Sequence, residues 1–470
     1  MNGIKCISRK EISIMLDLKI INGTLFIPGV GLVKAGVGVK DGKIAAIAAD
    51  EELGDASKTI DAEGKYVTPG WIDPHVHLGI MSTYEGECES ETRYALAGGV
   101  TTIGVFMGGG DSYLPVLDER IKIFEEKSST DAVFHLAVFT PQQMSEMEEC
   151  YRKFGVTDFK FYMTGVKGVF PNVEDDFIKQ GFEKVARMGF PAIGCVHCED
   201  QAMVDAGWDY VGGLKEEDRN LKTWTDSSPA GAEANAAKRF VRIVRETGAR
   251  GYMVHMSSKE SVKELTELFR EGRESIYIET TSAYCCMNNE DPMGKYAKMV
   301  PPIREKESQD ALWEAVRKGI VSTFGSDNVT CTGIHKSSDK WMEVAPGYPV
   351  VGDQVSALLT EGYHKRGVSW MTIIEKVTKG PAAAYGIYPR KGTIAVGSDA
   401  DLVILDLDKE KVVDPKEHDS FSDYSLFQGR TFKGLPVKVI KGGVLAAENG
   451  KVIVQPGIGK YLSRKLDKEI

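Results

Sequence analysis

No stretch of this 470-residue sequence approaches the ~20 consecutive apolar residues that a membrane-spanning helix needs. The N-terminus has no apolar signal core, since Lys5, Arg9, Lys10 and Glu11 crowd it. Basic clusters are missing as well, and the formal net charge is −10, so a nucleic acid would meet no electrostatic footprint. These absences lead us to expect a cytoplasmic protein with neither membrane nor nucleic acid as partner. Cysteine is sparse, eight residues in all, and scattered, as expected of free thiols in a reducing compartment. Cys195-Val196-His197-Cys198 is formally a C-x-x-C, but on a strand its two thiols face opposite sides, which argues against a redox or thiolate-zinc role. The adjacent Cys285 and Cys286 read as packing. Histidine is equally scarce, and where its eight copies fall carries most of the information.

The length exceeds what one hydrophobic core usually supports, about 250–300 residues, so a second, smaller unit is expected. Both ends of the chain read as strands. Met15 to Gly23, Gly36 to Ala49, Ala400 to Leu405 and Pro436 to Ile440 alternate or run apolar, with Asp41-Gly42 and Asn449-Gly450 as hairpin signals. Residues 1–14 are charged and unpatterned, so Met15 stands as an alternative start. The middle alternates strand and helix. Strands are expected at Val67–His77, Val100–Phe106, Ala132–Phe139, Asp158–Met163, Ala192–His197, Gly251–His255, Ser275–Thr281 and Ile320–Ser326, with helices such as Ala230–Thr247, Ser258–Glu271 and Ser308–Lys318 between them. Such a β/α alternation predicts an α/β fold, a (β/α)8 TIM barrel, with a small β-sandwich domain built from both chain termini. The expected division is 1–66 and 391–470 for the sandwich and tail, and 67–390 for the barrel. A doubly wound open sheet is the rival, but Met107-Gly108-Gly109-Gly110 is not the G-x-G-x-x-G turn that it would want.

In a barrel enzyme the chemistry sits at the C-terminal ends of the strands. Those ends carry His75 and His77 (strand 1), Lys160 (strand 4), His197 (strand 5), His255 (strand 6) and Asp327 (strand 8). Asp73, His75 and His77 share one strand face by alternation. Any one of these histidines alone reads as a core residue. Four of eight at strand ends, with an aspartate after the last strand, suit zinc or a similar transition metal rather than calcium or magnesium. Lys160 is the odd member, because an ammonium repels cations. A carbamate formed from its amine and CO2 is instead an anion able to bridge two metals.

Asp73-Pro74-His75-Val76-His77, Phe159-Lys160, Val196-His197-Cys198-Glu199, His255-Met256-Ser257 and Gly325-Ser326-Asp327 resemble the metal motifs of the cyclic amidohydrolases, dihydropyrimidinase/D-hydantoinase branch. The similarity extends through Val300-Pro301-Pro302-Ile303-Arg304 and Tyr388 to Asp401. It implies a hydrolase with two divalent metal ions, zinc foremost, and a carboxylated Lys160, which opens a small cyclic amide or ureide by attack of a metal-bridging hydroxide. It implies His75, His77 and Asp327 on one metal, His197 and His255 on the other, and Lys160 between them. Asp327 would also shuttle the proton. A homo-oligomer, tetramer or dimer, is implied too. Thr281, Ser282 and Tyr284 fall where the family's substrate contacts lie, whereas Glu233 and Asn235 read as a solvated helix face. Alternatives are an allantoinase, a hydrolase of a bulkier cyclic amide, or a non-catalytic scaffold of the same fold, against which the intact ligand set argues.

The sequence also departs from that pattern. Hydantoinases carry an oxyanion-binding tyrosine five residues after the bridging lysine, and here that position is Gly165. This predicts either freed space beside the metals, the reading we favour, or replacement by Tyr162 or Tyr284. Asn328 follows Asp327 where histidine is usual, and Ala345 to Val350 replaces the usual Pro-Asn-Gly loop. Gly79 stands where dihydroorotases have a carboxylate-binding arginine.

Overall fold

Between Val67 and His77 the chain does not run as one strand. In the computed structural model, which describes residues 15–273 and 275–468, Tyr66–Pro69 and Trp71–Val76 are separate strands in different sheets. Gly70 is the crossing point. A side chain there would collide with Thr101 Oγ1 and lie 2.9 Å from Asp401 Cβ, so glycine alone permits the two layers to approach. Its N–H donates to the Asp401 carbonyl (2.7 Å).

Eight strands, Trp71–Val76, Val100–Met107, Asp131–Ala137, Asp158–Tyr162, Ile193–His197, Gly251–Met253, Ile276–Thr281 and Thr323–Gly325, pair in parallel in sequence order. The first barrel strand is buried along its whole length, because helices cover the barrel outside and side chains fill it inside. The eighth returns to the first: Asp327 N–H donates to the His75 carbonyl and His77 N–H to the Asn328 carbonyl, both at 2.9 Å. The intervening helices follow the apolar periodicity. Ala230–Thr247 buries Ala236, Ala237, Phe240, Val241 and Val244 on one face and ends on Gly248, left-handed at φ 67°.

The termini build two further sheets. One mixes Thr24–Ile27, Gly31–Lys34 and Tyr66–Pro69 with Leu402–Val412, Thr431–Lys441, Val444–Glu448 and Lys451–Val452. The other holds Leu16–Ile21, Gly36–Lys40, Lys43–Ala48 and Ala56–Asp61. Leu18, Ile20, Val37, Val39, Leu25, Val67, Leu402 and Ile404 pack between them. Both hairpin signals are turns: Asp41-Gly42 has φ of 49° and 72° and Asn449-Gly450 has 50° and 78°, the left-handed pair that a two-residue hairpin needs.

The chain end is not all sandwich. Residues 457–467 run beneath the N-terminal ends of the barrel strands, where Leu462 N–H donates to the Ala132 carbonyl (2.8 Å). The buried Arg464 guanidinium donates to Asp158 (2.6 Å) and Thr157 Oγ1 (3.0 Å). Residues 1–14 lie outside the described residues.

A buried charge cluster ties the layers together. Lys391 Nζ reaches Asp131, Asp399 and Asp401 at 2.5–2.9 Å, and Lys441 Nζ reaches Asp131 at 2.9 Å. Asp131 opens the third barrel strand, whereas Asp401 and Lys441 belong to the terminal layer. Burial alone would raise the Asp131 and Asp399 carboxyls, but the Lys391 ammonium outweighs it and holds both below the usual range. A carboxyl lowered on folding stabilises the protein above about pH 4, and that contribution is lost as pH falls below it. Lys391→Met should therefore cost about 3–5 kcal/mol of stability by leaving buried carboxylates unmatched. Denaturant melts at neutral pH check this, and the variant should lose less stability than wild type on acidification below pH 4.

Candidate metal centre

The bulge in strand 1 between Asp73 and Val76, at Pro74, sets the first part of the site. Asp73 accepts from His75 N–H (3.1 Å) and from Ser326 N–H (3.0 Å), which fastens strand 1 to the end of strand 8. There His75 Nε2 and His77 Nε2 each lie 3.2 Å from Asp327 Oδ1. Ligand atoms of the three lie within 4.8 Å of one another. Across the mouth His197 Nδ1 lies 2.8 Å from His255 Nε2, and the His75 and His255 rings stack at 5.6 Å. Lys160 points up between them from strand 4, fully buried. Its Nζ lies 5.1 Å from the Phe106 and Tyr162 ring centres and has no hydrogen-bond or ion-pair acceptor among the described residues. His255 and Asp327 both take positive φ, 39° and 54°, a costly conformation for non-glycine residues that is held at functional sites by the surrounding fold.

Burial pushes His75 and His255 well below the ordinary imidazole range, so both are neutral near pH 7. The outer contacts of His75 and His197 are fixed by carboxylates that the sequence reading missed. His75 Nδ1 pairs with Glu279 Oε1 and His197 Nε2 with Glu199 Oε2, each at 2.8 Å. An imidazole N–H given to a carboxylate leaves the other nitrogen's lone pair facing inward, the arrangement metal-binding histidines use. Glu279 also accepts from His255 N–H (3.0 Å) and the Tyr252 hydroxyl (2.8 Å). Burial, partly offset by these bonds, pushes its carboxyl up to about 7. A glutamate in the strand Ile276–Thr281 was the signal available, since a carboxylate seldom sits inside a fully buried strand without a partner. Lys160 is pushed down to about 8 by burial, despite the nearby Glu279 and Asp327 carboxylates.

Glu233 is no solvated residue. It is 1% exposed, and its carboxylate accepts from the backbone and hydroxyl groups of both Ser257 and Ser258, just after strand 6. Its helix faces the loop carrying His255, which the period of one helix does not reveal. Asn235 is exposed, as expected, and bonds to Asp200 (3.0 Å). Tyr284 is not on a loop over the mouth. It lies in a short helix, Ser282–Cys286, capped by Thr281, and its hydroxyl donates to the Pro301 carbonyl (2.7 Å). Ser282 Oγ is buried without a hydrogen-bond partner among the described residues. The seven described cysteines are free and buried, including Cys195, Cys198, Cys285 and Cys286.

Nor does Gly165 leave space. Its Cβ position lies 2.7 Å from the Phe170 carbonyl oxygen, because residues 166–170 form a tight turn that folds back onto it. Phe170 packs on Phe139 and Tyr162, and Tyr162 packs on His197. The cavity above the histidines measures about 80 Å³. Its floor holds His75, His77, Lys160, His197, His255 and Asp327, and its walls are Ile80, Met81, Tyr162, Val166, Val169, Phe170, Val300, Val329, Pro346 and Gly347.

Residues 66–446 match the model of the Amidohydrolase family. The chain belongs to the amidohydrolase family. An L-hydantoinase of Paenarthrobacter aurescens is 32% identical over 96% of this chain and 99% of its own length. A D-hydantoinase of Ralstonia pickettii is 31% identical over 97% and 100%, and an allantoinase of Bacillus licheniformis 30% identical over 95% and 99%. The solved L-hydantoinase (dihydropyrimidinase) of Arthrobacter aurescens superposes with a TM-score of 0.88 at 31% identity, covering 96% of this chain and 100% of that one. For this amidohydrolase the carboxylates behind the histidines generate a direct expectation. Glu279→Gln should lower metal affinity about 10–100-fold while the protein stays folded, as read by competition with a chelator.

Proposed function

We propose that this amidohydrolase opens a hydantoin- or dihydropyrimidine-type ring that carries an apolar substituent. The observation behind it is the convergence of four imidazoles, the Asp327 carboxylate and an unpaired buried lysine at the mouth of a barrel. The apolar walls favour an alkyl or aryl substituent over allantoin's polar ureido arm, because they offer that arm no charged or amide side chain.

The donor set fits a pair of divalent ions, zinc foremost. It is nitrogen-rich, His75 and His255 are held neutral by burial, and Glu279 and Glu199 orient His75 and His197. His75, His77 and Asp327 would hold one ion, His197 and His255 the other, and Lys160, as its carbamate, would bridge. When bound, such ions polarise a carbonyl and acidify water. The ammonium of Lys160 first gives up one proton, and the neutral amine would then add to CO2 and release a second, so that a mismatched cation becomes an anion. Asp327 accepts the proton of the attacking water and delivers it to the departing ring nitrogen. The Tyr162 hydroxyl forms no hydrogen bond among the described residues and lines the cavity. Burial holds it protonated, so it is our choice of oxyanion donor in place of the family's tyrosine. Glu279, Glu199 and Asp73 hold the geometry, and the apolar walls exclude bulk water. We further propose a sandwich-plus-barrel division near residues 66 and 390, as the strand pattern suggests, a cytoplasmic location, as the composition suggests, and a homo-oligomer, as the family resemblance suggests. Light scattering would test the assembly.

The purified protein, supplied with zinc and bicarbonate, should turn over 5-alkyl or 5-aryl hydantoins faster than allantoin. A reversed order would overturn the substrate reading. Tyr162→Phe should lower kcat about 10²–10³-fold with metal content unchanged. Lys160→Ala should lose both metal and activity. Because the neutral amine is the form that adds CO2, a pKa lowered to about 8 means that bicarbonate-dependent metal loading rises with pH through that value. Isotopically labelled bicarbonate, followed by its carbamate NMR signal, checks this.

A further inference from the structure

Two other lysines are buried beside the site, and neither faces a carboxylate partner among the described residues. Lys298 is 1% and Lys336 0% exposed. Lys298 Nζ donates to the carbonyls of Trp341 (2.6 Å), Val344 (2.7 Å) and Met342 (3.4 Å), and sits 4.4 Å over the Trp224 ring. Lys336 Nζ donates to the carbonyls of Ala345 (2.6 Å), Gly347 (2.6 Å) and Lys298 (3.3 Å). Each ammonium thus spends all three of its donors on main chain. Five of the six carbonyls they gather come from one segment, residues 341–347, which turns inward after strand 8. Gly347 N–H returns a bond to the Lys298 carbonyl (3.2 Å), and Gly347 holds φ 110° hard against Val329. The same segment ends in Pro346 and Gly347, which form a wall of the catalytic cavity. Three and four residues on, the Val350 and Val351 N–H groups bond Asn328 Oδ1 (2.7 and 3.1 Å), next to Asp327.

We propose that Lys298 and Lys336 are paired positioning residues that shape the substrate cavity, by gathering the carbonyls behind the Ala345-Pro346-Gly347 wall. The physical case is the energy balance. Burying two cations without counter-charges is unfavourable, and an apolar side chain with one backbone partner would fill the same space more cheaply. An ammonium does what an apolar group cannot: it turns several carbonyl dipoles of an irregular segment toward one point and so fixes which face that segment presents to the cavity. In consequence the wall is rigid although it has no helix or strand of its own. This rests on the cyclic-amide reading only for the kinetic half of its test.

The test compares Lys336→Met, Lys298→Met and Lys336→Gln with wild type in the metal-loaded enzyme. Hydrogen exchange of the segment 337–353 needs no substrate. It should accelerate at least tenfold in the two Met variants and less in Lys336→Gln, which keeps donors but loses charge, while the barrel strands stay protected and metal content is unchanged. With a hydantoin as probe, KM should rise several-fold more than kcat falls. Wild-type exchange and KM in folded Met variants would overturn the proposal. So would acceleration spread evenly over the barrel in Lys336→Gln, which would mark a merely structural role. Absence of turnover in wild type itself, with the exchange result intact, would count against the substrate reading alone.

Discussion

Water is excluded from the interior of this barrel, so every charge placed there must find an opposite charge, find enough dipoles, or cease to be a charge. The structure contains all three outcomes. Lys391 meets three carboxylates and fastens the terminal sheets to the barrel. Lys298 and Lys336 meet carbonyls and fasten a loop. Lys160 meets neither, and beside it stand histidines that burial keeps uncharged. The same desolvation that makes an ammonium costly at Lys160 favours its neutral amine. The arrangement at the mouth thus follows from one constraint rather than from a collection of separately placed groups.

Much of this was legible in the sequence because the barrel has a simple grammar. A buried parallel strand is a short apolar run, and a polar residue at its C-terminal end is conspicuous against that run. His75, His77, Lys160, His197, His255 and Asp327 all stood out in this way, and all converge. Features that depend on reach across space were not legible. Glu233 sits on a helix whose neighbours suggest nothing special, and its burial arises from the loop after strand 6. Glu279 acts behind His75, which another strand contributes, whereas Glu199 lies only two residues beyond the His197 that it holds. Phe170 fills the place beside Gly165 because a turn of five residues doubles back, and neither alternation nor spacing encodes that. The break at Gly70 was hidden by a continuous apolar run, since a chain that leaves one sheet and enters another buries both halves equally. Arg464 lay in a tail with no pattern, yet it closes the underside of the barrel.

The relatives sharpen the substrate question without answering it. Proteins named L-hydantoinase, D-hydantoinase and allantoinase match this chain at nearly equal identity. Overall similarity therefore cannot choose between them, and the choice falls to the few side chains that line the cavity. These come largely from loops after strands 1, 4, 7 and 8, the parts of a barrel free to change while the strands remain fixed.

The joint between strands 1 and 8 has one more consequence. Asp73 and Ser326, which stitch it, are 253 positions apart in sequence, and the backbone bonds of His75, His77, Asp327 and Asn328 complete it. Contacts of such long range form only after the chain between them is ordered. The ligand set is therefore assembled by the same event that makes the cylinder continuous. A nascent chain still on the ribosome, lacking its eighth strand, holds isolated histidines but no complete centre. The cluster of four imidazoles, Asp327 and Lys160 is in this way complete only when the barrel is.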